Sequence, residues 1–397
     1  MNKNISLLYN DLYKFTMMQA VFEKYPSALV KYKFKWRNWD KMKFSNNIED
    51  FVAELNWQAD AFCDLRFPED ELAYLSSLGY FKLGFIEFLR NFRPNRKYIK
   101  IFIESGIPAV VIEGPWLSTI LFEVPILHLV SSTYTKYQPI PEASWVVEAK
   151  DRLCAKFDLI KNMPSGFGFS DFSTRRCANF THHNNIIEWT LKEYPGRLVG
   201  TSNVYLAKKH GIKAIGTMAH EWIQAHQQLG VRLIDSQKAA LQTWADVYRG
   251  ELGIALSDCI TFDAFLVDFD RYFSLLFEGC RHDSGDPYKW CSKLIKHYKS
   301  LRIEPKTKQA IFSDGLDFNL AKDLWWTFND QINVGFGIGT YYGNDCAFIA
   351  PQIVLKMVEC NGMPVAKISD SKGKGMCENF EFEKYLLSII QQKVRTQ

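Results

Sequence analysis

The sequence predicts an α/β fold: a parallel α/β barrel that carries the polar site, with an α+β domain beside it. Three features point there. Beyond about residue 165, short apolar runs end abruptly in small or polar residues and give way to helical stretches, a rhythm repeated seven times. The first 140 residues lack that rhythm. After Pro351 a strand-like run returns at 353–358. Strands alternating with helices imply a parallel sheet with crossover helices. The barrel is therefore assigned to 141–350, and the second domain to 1–140 together with 351–397.

Within the first part, Asn10 or Asp11 is placed to cap a helix running to about Tyr25. Leu12, Phe15, Gln19 and Phe22 follow helical spacing, with Tyr13 about 100° away from Leu12 around the axis. Residues 30–36 alternate as a strand does, and helical patterns fill 48–92. Two further strands, 98–104 and 109–113, flank a Ser105-Gly106 turn. The apolar stretch 116–132 contains Glu123, Pro125 and His128, and predicts a buried helix kinked by its proline. At the other end, 353–358 is followed by a Lys372-Gly373-Lys374-Gly375 turn and a helical last fifteen residues, all expected to pack back on the amino-terminal domain.

The seven strand ends are the chemically informative part. The run 167–172 leads into Ser173-Thr174-Arg175-Arg176, 198–199 into Gly200-Thr201-Ser202-Asn203, and 214–215 into Gly216-Thr217-Met218-Ala219-His220. The run 252–256 leads into Ser257-Asp258, and 275–277 towards Arg281-His282-Asp283-Ser284-Gly285-Asp286. The last two, 310–312 and 334–338, lead into Ser313-Asp314-Gly315 and Gly339-Thr340. Barrel enzymes place their chemistry at the carboxyl ends of the strands, so these clusters are expected to converge. An open doubly wound sheet is the alternative, and it would leave most of them apart.

Composition narrows the class. Apolar residues make up 47% and charged residues 23%, as in globular proteins. A net charge of +4 gives no support for a nucleic-acid-binding surface. Nine scattered cysteines without a CxxC pair suggest reduced thiols and the cytosol. No secretory signal is read at the amino terminus, and no membrane span, since charged or polar residues interrupt every long apolar run.

Each cluster has a chemical reading beside a structural one. The glycines of 335–340 let backbone N–H groups approach phosphate oxygens, or serve only the strand. Arg281 offers a planar fork to phosphate, and the carboxylates near it can take ribose hydroxyls or Mg²⁺; the same Asp-Ser-Gly-Asp-Pro segment is also good helix-capping chemistry. Phe172 can stack on a flat ring while Arg175 reaches an anion, or can simply fill the core. His220, just past a strand, is open to three roles: general base, metal ligand or nucleophile. His226 lies six residues on, which is not the spacing of a helical zinc pair.

Together, Asp11-Leu12-Tyr13-Lys14 and the segments 171–176, 200–203, 216–222, 281–287, 313–317 and 336–340 resemble the nicotinate phosphoribosyltransferases, over essentially the whole chain. The resemblance implies an irregular, incomplete TIM-like barrel joined to a domain built from both chain ends. It implies transfer of the phosphoribosyl group of 5-phosphoribosyl 1-pyrophosphate to nicotinate, giving nicotinate mononucleotide and pyrophosphate for NAD salvage. It also implies Mg²⁺, ATP as co-substrate, and a homodimer in which the counterpart of Tyr13 reaches the partner's site.

By the same resemblance, Tyr13 and Phe172 would sandwich the pyridine ring, and Arg175 and Arg281 would bind anions near the ring and the pyrophosphate. Ser202 would lie near the nicotinate carboxylate, Thr201 would belong to the substrate-binding residues, and Asp283 would contact ribose hydroxyls. Ser313, Gly315, Gly339 and Thr340 would line the sugar-phosphate pocket, with Asp314 for Mg²⁺ or ribose. His220 would be transiently phosphorylated. The nicotinamide-using relative carries aspartate where this chain has Ser202; aspartate repels a carboxylate, whereas a serine hydroxyl donates to one. Two positions depart from the family pattern: Ser173 replaces a usual glycine, and Asn10 a common threonine. Rival readings are a quinolinate phosphoribosyltransferase, a barrel enzyme such as a sugar-phosphate isomerase or aldolase, and a non-catalytic metabolite-binding relative.

Overall fold

The computed structural model describes residues 6–42, 47–371 and 375–396. Two sheets organise the chain. The amino-terminal sheet contains β1 (Leu29–Trp36), β2 (Ile99–Glu104) and β3 (Ile107–Pro115), all antiparallel. Ser105 and Gly106 both take positive φ, 51° and 75°, as a two-residue hairpin turn between right-twisted strands requires. Three helices, Ile48–Cys63, Glu69–Ser77 and Leu83–Asn91, occupy the region between β1 and β2.

The second sheet is parallel and has seven strands: β4 (Phe169–Asp171), β5 (Leu198–Thr201), β6 (Lys213–Ala214), β7 (Ile254–Leu256), β8 (Gly279–His282), β9 (Gln309–Phe312) and β10 (Asn333–Ile338). Their spatial order is β6-β5-β4-β10-β9-β8-β7. The sheet curls but does not close, since β6 and β7 are its two edges. Thr217, just past β6, donates its hydroxyl to the Ile254 carbonyl on β7 at 2.7 Å and bridges the open seam. This is the incomplete barrel that the family resemblance implies. One strand lies elsewhere than the sequence places it: 275–277 is not a strand, because Leu275 and Leu276 end the helix Arg271–Leu276, and the strand is β8, four residues later.

The carboxyl-terminal segment divides between the two parts. β11 (Ile353–Cys360) pairs antiparallel with β1 and carries the short β12 (Met363–Pro364) on its far side, completing a five-stranded sheet. The final helix, Phe380–Arg395, does not follow it. Leu386 and Ile390 pack with Ile260 and Ala264 on the barrel side, contrary to the expectation that the whole segment returns to the amino-terminal domain. Of the Lys372–Gly375 turn, residues 372–374 lie outside the described residues.

Two helices join the parts. Leu12–Lys24 is buried from Leu12 to Val21 without a polar face, so the predicted stripe is only a portion of its contact surface. Asp11 occupies its N-cap position, yet the side chain makes no capping bond and is used elsewhere. The 116–136 stretch is long and apolar enough to cross a membrane by length and composition, but 89% of its most apolar window is buried inside the protein. It breaks into Trp116–Thr119, a 3-10 turn Ile120–Phe122 and the helix Glu123–Lys136. The break thus precedes Pro125, whose ring disfavours a regular turn four residues back, rather than kinking the helix at the proline itself. All nine cysteines are free thiols.

Candidate active site

A cavity of about 360 Å³ opens at the carboxyl ends of the barrel strands. It is lined by Tyr13, Phe172, Arg175, Ser202, His220, Arg281, Asp283, Ser313, Gly315, Gly339 and Thr340, all predicted from sequence, and also by Asp11, Arg176, Gly216 and Asp317. A larger cavity of about 790 Å³ lies between the helices Ile48–Cys63 and Glu123–Lys136, but none of the polar strand ends reaches it. Convergence of the strand-end chemistry therefore picks out the smaller cavity.

One end is aromatic. Phe172 follows β4 and rests against β10, where a side chain on Gly337 would stand 2.3 Å from the ring. Gly335 is similarly crowded by Ile311, so these two glycines serve packing, and only Gly339 of that run faces the cavity. Tyr13 lines the same cavity of its own chain. Its hydroxyl is buried with no hydrogen-bond partner among the described residues.

Beneath these walls lies Asp171, wholly buried. Its carboxylate accepts from the Ser173 amide and hydroxyl, from the Thr201 hydroxyl at 2.6 Å, and from His183 Nε2 at 2.8 Å. Thr201 is not among the cavity-lining residues, and its hydroxyl orients Asp171. Ser173 takes an ordinary φ of −93° and uses its hydroxyl on Asp171, so serine in place of glycine is absorbed by a hydrogen bond. Ser202 lines the cavity, and its hydroxyl donates to Asp11 Oδ1 at 2.7 Å. Asn10 donates through Nδ2 to the Leu121 carbonyl at 3.0 Å, a tertiary contact rather than a cap.

Arg175 lies 3.5 Å from Glu123, and Glu123 shares the fully buried Lys14 with Glu221 at 2.5 and 2.7 Å. Lys14 keeps its charge: burial pushes its pKa down, but the two carboxylates raise it above the ordinary value. Burial and the nearby Glu123 push Glu221 up to about 6 against the pull of Lys14. Glu221 adjoins His220, so this ionic floor reaches from the aromatic end to the histidine.

At the other end His220 opens the helix His220–His226. Its Nε2 is 2.9 Å from Asp258 Oδ1 and 3.6 Å from Asp283 Oδ2. The other oxygen of Asp258 accepts from Ser284 at 2.6 Å and Lys367 at 2.9 Å. Burial raises Asp258, but His220 and Lys367 outweigh it and hold the carboxyl well below the usual range. Burial, together with Lys367, pushes His220 down to about 4 despite Asp258, so the imidazole is neutral at pH 7. Ser313 donates to the His282 carbonyl at 3.0 Å and to Asp283 Oδ1 at 3.2 Å, fixing that carboxylate beside Arg281, whose Nη2 lies 3.9 Å away. Asp286 caps the helix Pro287–Ser300 by accepting from the amides of Tyr288 and Lys289, worth about 1 kcal/mol. The capping reading and the site reading of that segment thus hold together.

Ligand atoms of His220, Asp258 and Asp283 lie within 4.8 Å of one another. Asp258 is already engaged by Lys367, Ser284 and His220, which leaves Asp283 as the more available oxygen donor for a hard cation. Mg²⁺ ordinarily takes one or two carboxylates and completes its shell with water and substrate phosphate, so the residues present fit it. Asp314, expected as the metal residue, is not among the cavity-lining residues; its charge acts on His282 and Arg37. Asp258 itself was legible as a strand end but not as the partner of His220, and Lys367, beyond the barrel, carries no sequence signal.

Comparison with known proteins matches this geometry. Residues 167–392 match the nicotinate phosphoribosyltransferase family model, and residues 8–131 match the model of that family's amino-terminal domain. Nicotinate phosphoribosyltransferase 1 of Pseudomonas aeruginosa is 46% identical over 97% of this chain and 96% of its own length. The enzyme of that name from Ectopseudomonas mendocina is 45% identical over the same shares. Among solved structures, the nicotinate phosphoribosyltransferase of Vibrio cholerae superposes with a TM-score of 0.92 at 33% identity, covering 100% of this chain and 98% of that one. The Porphyromonas gingivalis enzyme gives 0.90 at 29% identity, covering 97% and 99%.

Proposed function

The chain belongs to the nicotinate phosphoribosyltransferase family, and we propose that it joins nicotinate to 5-phosphoribosyl 1-pyrophosphate in NAD salvage, with ATP hydrolysis coupled through a transient phosphate on His220. The observation that carries this reading is the meeting of an aromatic pair, Tyr13 and Phe172, with Arg281, Asp283 and His220 in one cavity.

In the transfer, the pyridine is held between Tyr13 and Phe172, with the Arg175 guanidinium beside the ring. The ring nitrogen forms a bond to the anomeric carbon, and the carbon–oxygen bond to pyrophosphate breaks, with its electron pair leaving on pyrophosphate. Positive charge grows on the sugar and negative charge on the leaving group. Asp283 faces the first and Arg281 the second, in a site where such groups are already oriented. Mg²⁺, held by Asp283 and substrate oxygens, would supply further charge stabilisation on the pyrophosphate. Gly315, Gly339, Thr340 and Ser313 receive the sugar phosphate.

The histidine step follows from its tautomer. Asp258 accepts the Nε2 proton, which leaves the lone pair on Nδ1. Attack of Nδ1 on the terminal phosphorus of ATP forms an N–P bond and breaks the P–O bond, releasing ADP. The imidazole is neutral beforehand, so no proton must leave first, and the positive charge that develops on the ring is held by Asp258. A dianionic phosphate at this position changes affinity for the pyrophosphate end of the cavity, and that difference is what couples ATP cleavage to synthesis.

Incubation of the protein with Mg²⁺, ATP, nicotinate and phosphoribosyl pyrophosphate tests the activity by the appearance of nicotinate mononucleotide. Product with nicotinamide but not nicotinate would overturn the substrate. Carbon dioxide release from quinolinate would favour the quinolinate enzyme instead.

A further inference from the structure

At the pyridine end of the cavity the Asp11 carboxylate is hydrogen-bonded but held in no ion pair among the described residues. Arg175 and Lys14 are matched by Glu123 and Glu221. Asp171 is matched by His183, which it raises to about 10 against burial, so that pair is also neutral overall. Arg176 lines the cavity as a further cation, and its Nε donates to the Ile353 carbonyl of β11. Tyr9 and Tyr13 face the same region as neutral phenols, both pushed well above the ordinary phenol value by burial. Asp11, only 4% exposed, lines the cavity from the start of the amino-terminal helix, and its carboxylate accepts from the Ser202 hydroxyl.

That hydroxyl has one proton, and Asp11 accepts it. Ser202 therefore offers lone pairs to the cavity, and so does an ionised Asp11. A pyridine carboxylate placed against the two meets acceptors only, whereas a carboxamide would donate its N–H directly to Asp11.

We propose that Asp11 is a specificity-determining residue that takes up one proton as nicotinate binds, so that its carboxyl donates a hydrogen bond to the substrate carboxylate. This rests on the nicotinate reading of the site. Two carboxylates in contact share a proton because both cannot remain ionised at close range, and each raises the other's affinity for it. Burial already holds Asp11 above the ordinary carboxylate value, against the opposing pull of the Ser202 hydroxyl, Thr174 and Arg175. Acid or amide is then selected by the proton on Asp11. The acid is bound with a proton from solvent, and the amide without one.

Calorimetric titration of the full chain with nicotinate at pH 7.5, in buffers of differing ionisation enthalpy, reads the linked proton directly. Uptake approaching about one proton per nicotinate is expected, with none for nicotinamide as the amide probe. In Asp11→Asn the amide donates permanently, so nicotinate binding loses its buffer dependence; this also separates Asp11 from protonation of the pyridine nitrogen. Ser202→Ala keeps the uptake, because the proton belongs to Asp11. Nicotinate binding without buffer dependence in the unaltered protein, or persistent uptake in Asp11→Asn, overturns the inference while leaving the activity intact. Failure of the unaltered protein to bind nicotinate at all would overturn the nicotinate reading, and this inference with it.

Discussion

His220 Nε2 meets Asp258 Oδ1 at 2.9 Å, and Lys367 and Ser284 hold the far oxygen of the same carboxylate. The pair fixes the tautomer, because an ionised Asp258 accepts only. An asparagine side chain in its place offers an N–H instead, which turns Nε2 into an acceptor and moves the ring proton to Nδ1. Asp258→Asn is expected to lower ATP-dependent turnover on the order of 10²- to 10⁴-fold, with phosphate labelling reduced in parallel. His220→Ala is expected to abolish acid-labile labelling and ATP stimulation while slow transfer persists. Unchanged ATP-dependent turnover in His220→Ala would remove the phosphate-carrier role.

The Asp171–His183 pair predicts an alkaline loss of stability. His183 has an ordinary value of 6.5 when unfolded and is raised to about 10 in the fold, where burial opposes it but Asp171 and Cys177 prevail. A folded value above the unfolded one means that the native state binds the extra proton. The stabilisation is complete below about pH 6.5 and fades as pH rises through 10. With His183 fully buried, its size is on the order of a few kcal/mol. Thermal melts of the unaltered protein should fall steadily between pH 7 and pH 10, and His183→Gln should flatten that slope while lowering stability at pH 7. Parallel slopes for the two proteins would refute the assignment.

Gly337 gives a test of the aromatic wall. An alanine methyl there would stand 2.3 Å from the Phe172 ring, so the ring must move. Overpacking of this kind costs about 1–3 kcal/mol. Because Phe172 lines the cavity, Gly337→Ala should also raise KM for nicotinate more than KM for phosphoribosyl pyrophosphate. Equal changes in both would mean that the wall is not the pyridine's.

Six of the seven strands were legible because their apolar runs end where the chain turns polar at the site. The seventh shows why the pattern fails when polarity enters the strand itself. β8 reads Gly-Cys-Arg-His: Gly279 is pressed against Gln309, where a Cβ would stand 2.0 Å from its carbonyl oxygen, and Arg281 and His282 carry polar chemistry within the strand. The neighbouring Leu275-Leu276-Phe277 offers a better apolar run and belongs to a helix end. Residue type at the site was legible too, but not hydrogen-bond direction. Ser202 is placed near the cavity as expected, while the destination of its proton depends on Asp11, nearly two hundred residues away in sequence. Lys367 approaches Asp258 from a segment with no motif, and only the folded chain brings the two together.

Tyr13 and Phe172 line one cavity within one chain. If each chain holds both walls, a chain lacking either is defective whatever it is mixed with. Tyr13→Ala and Phe172→Ala should each raise KM for nicotinate, since each removes one face of an aromatic sandwich worth about 0.5–1.5 kcal/mol beyond its buried area. A site built across two subunits behaves differently: in mixed dimers one of the two sites receives both intact rings, and up to about a quarter of full activity returns under random pairing. Mixing the two variants, unfolding and refolding them together to permit exchange, and assaying at limiting nicotinate should therefore show no recovery above the average of the separate variants. Recovery towards the shared-site value would place Tyr13 in a partner's cavity and require the helix Leu12–Lys24 to exchange between subunits.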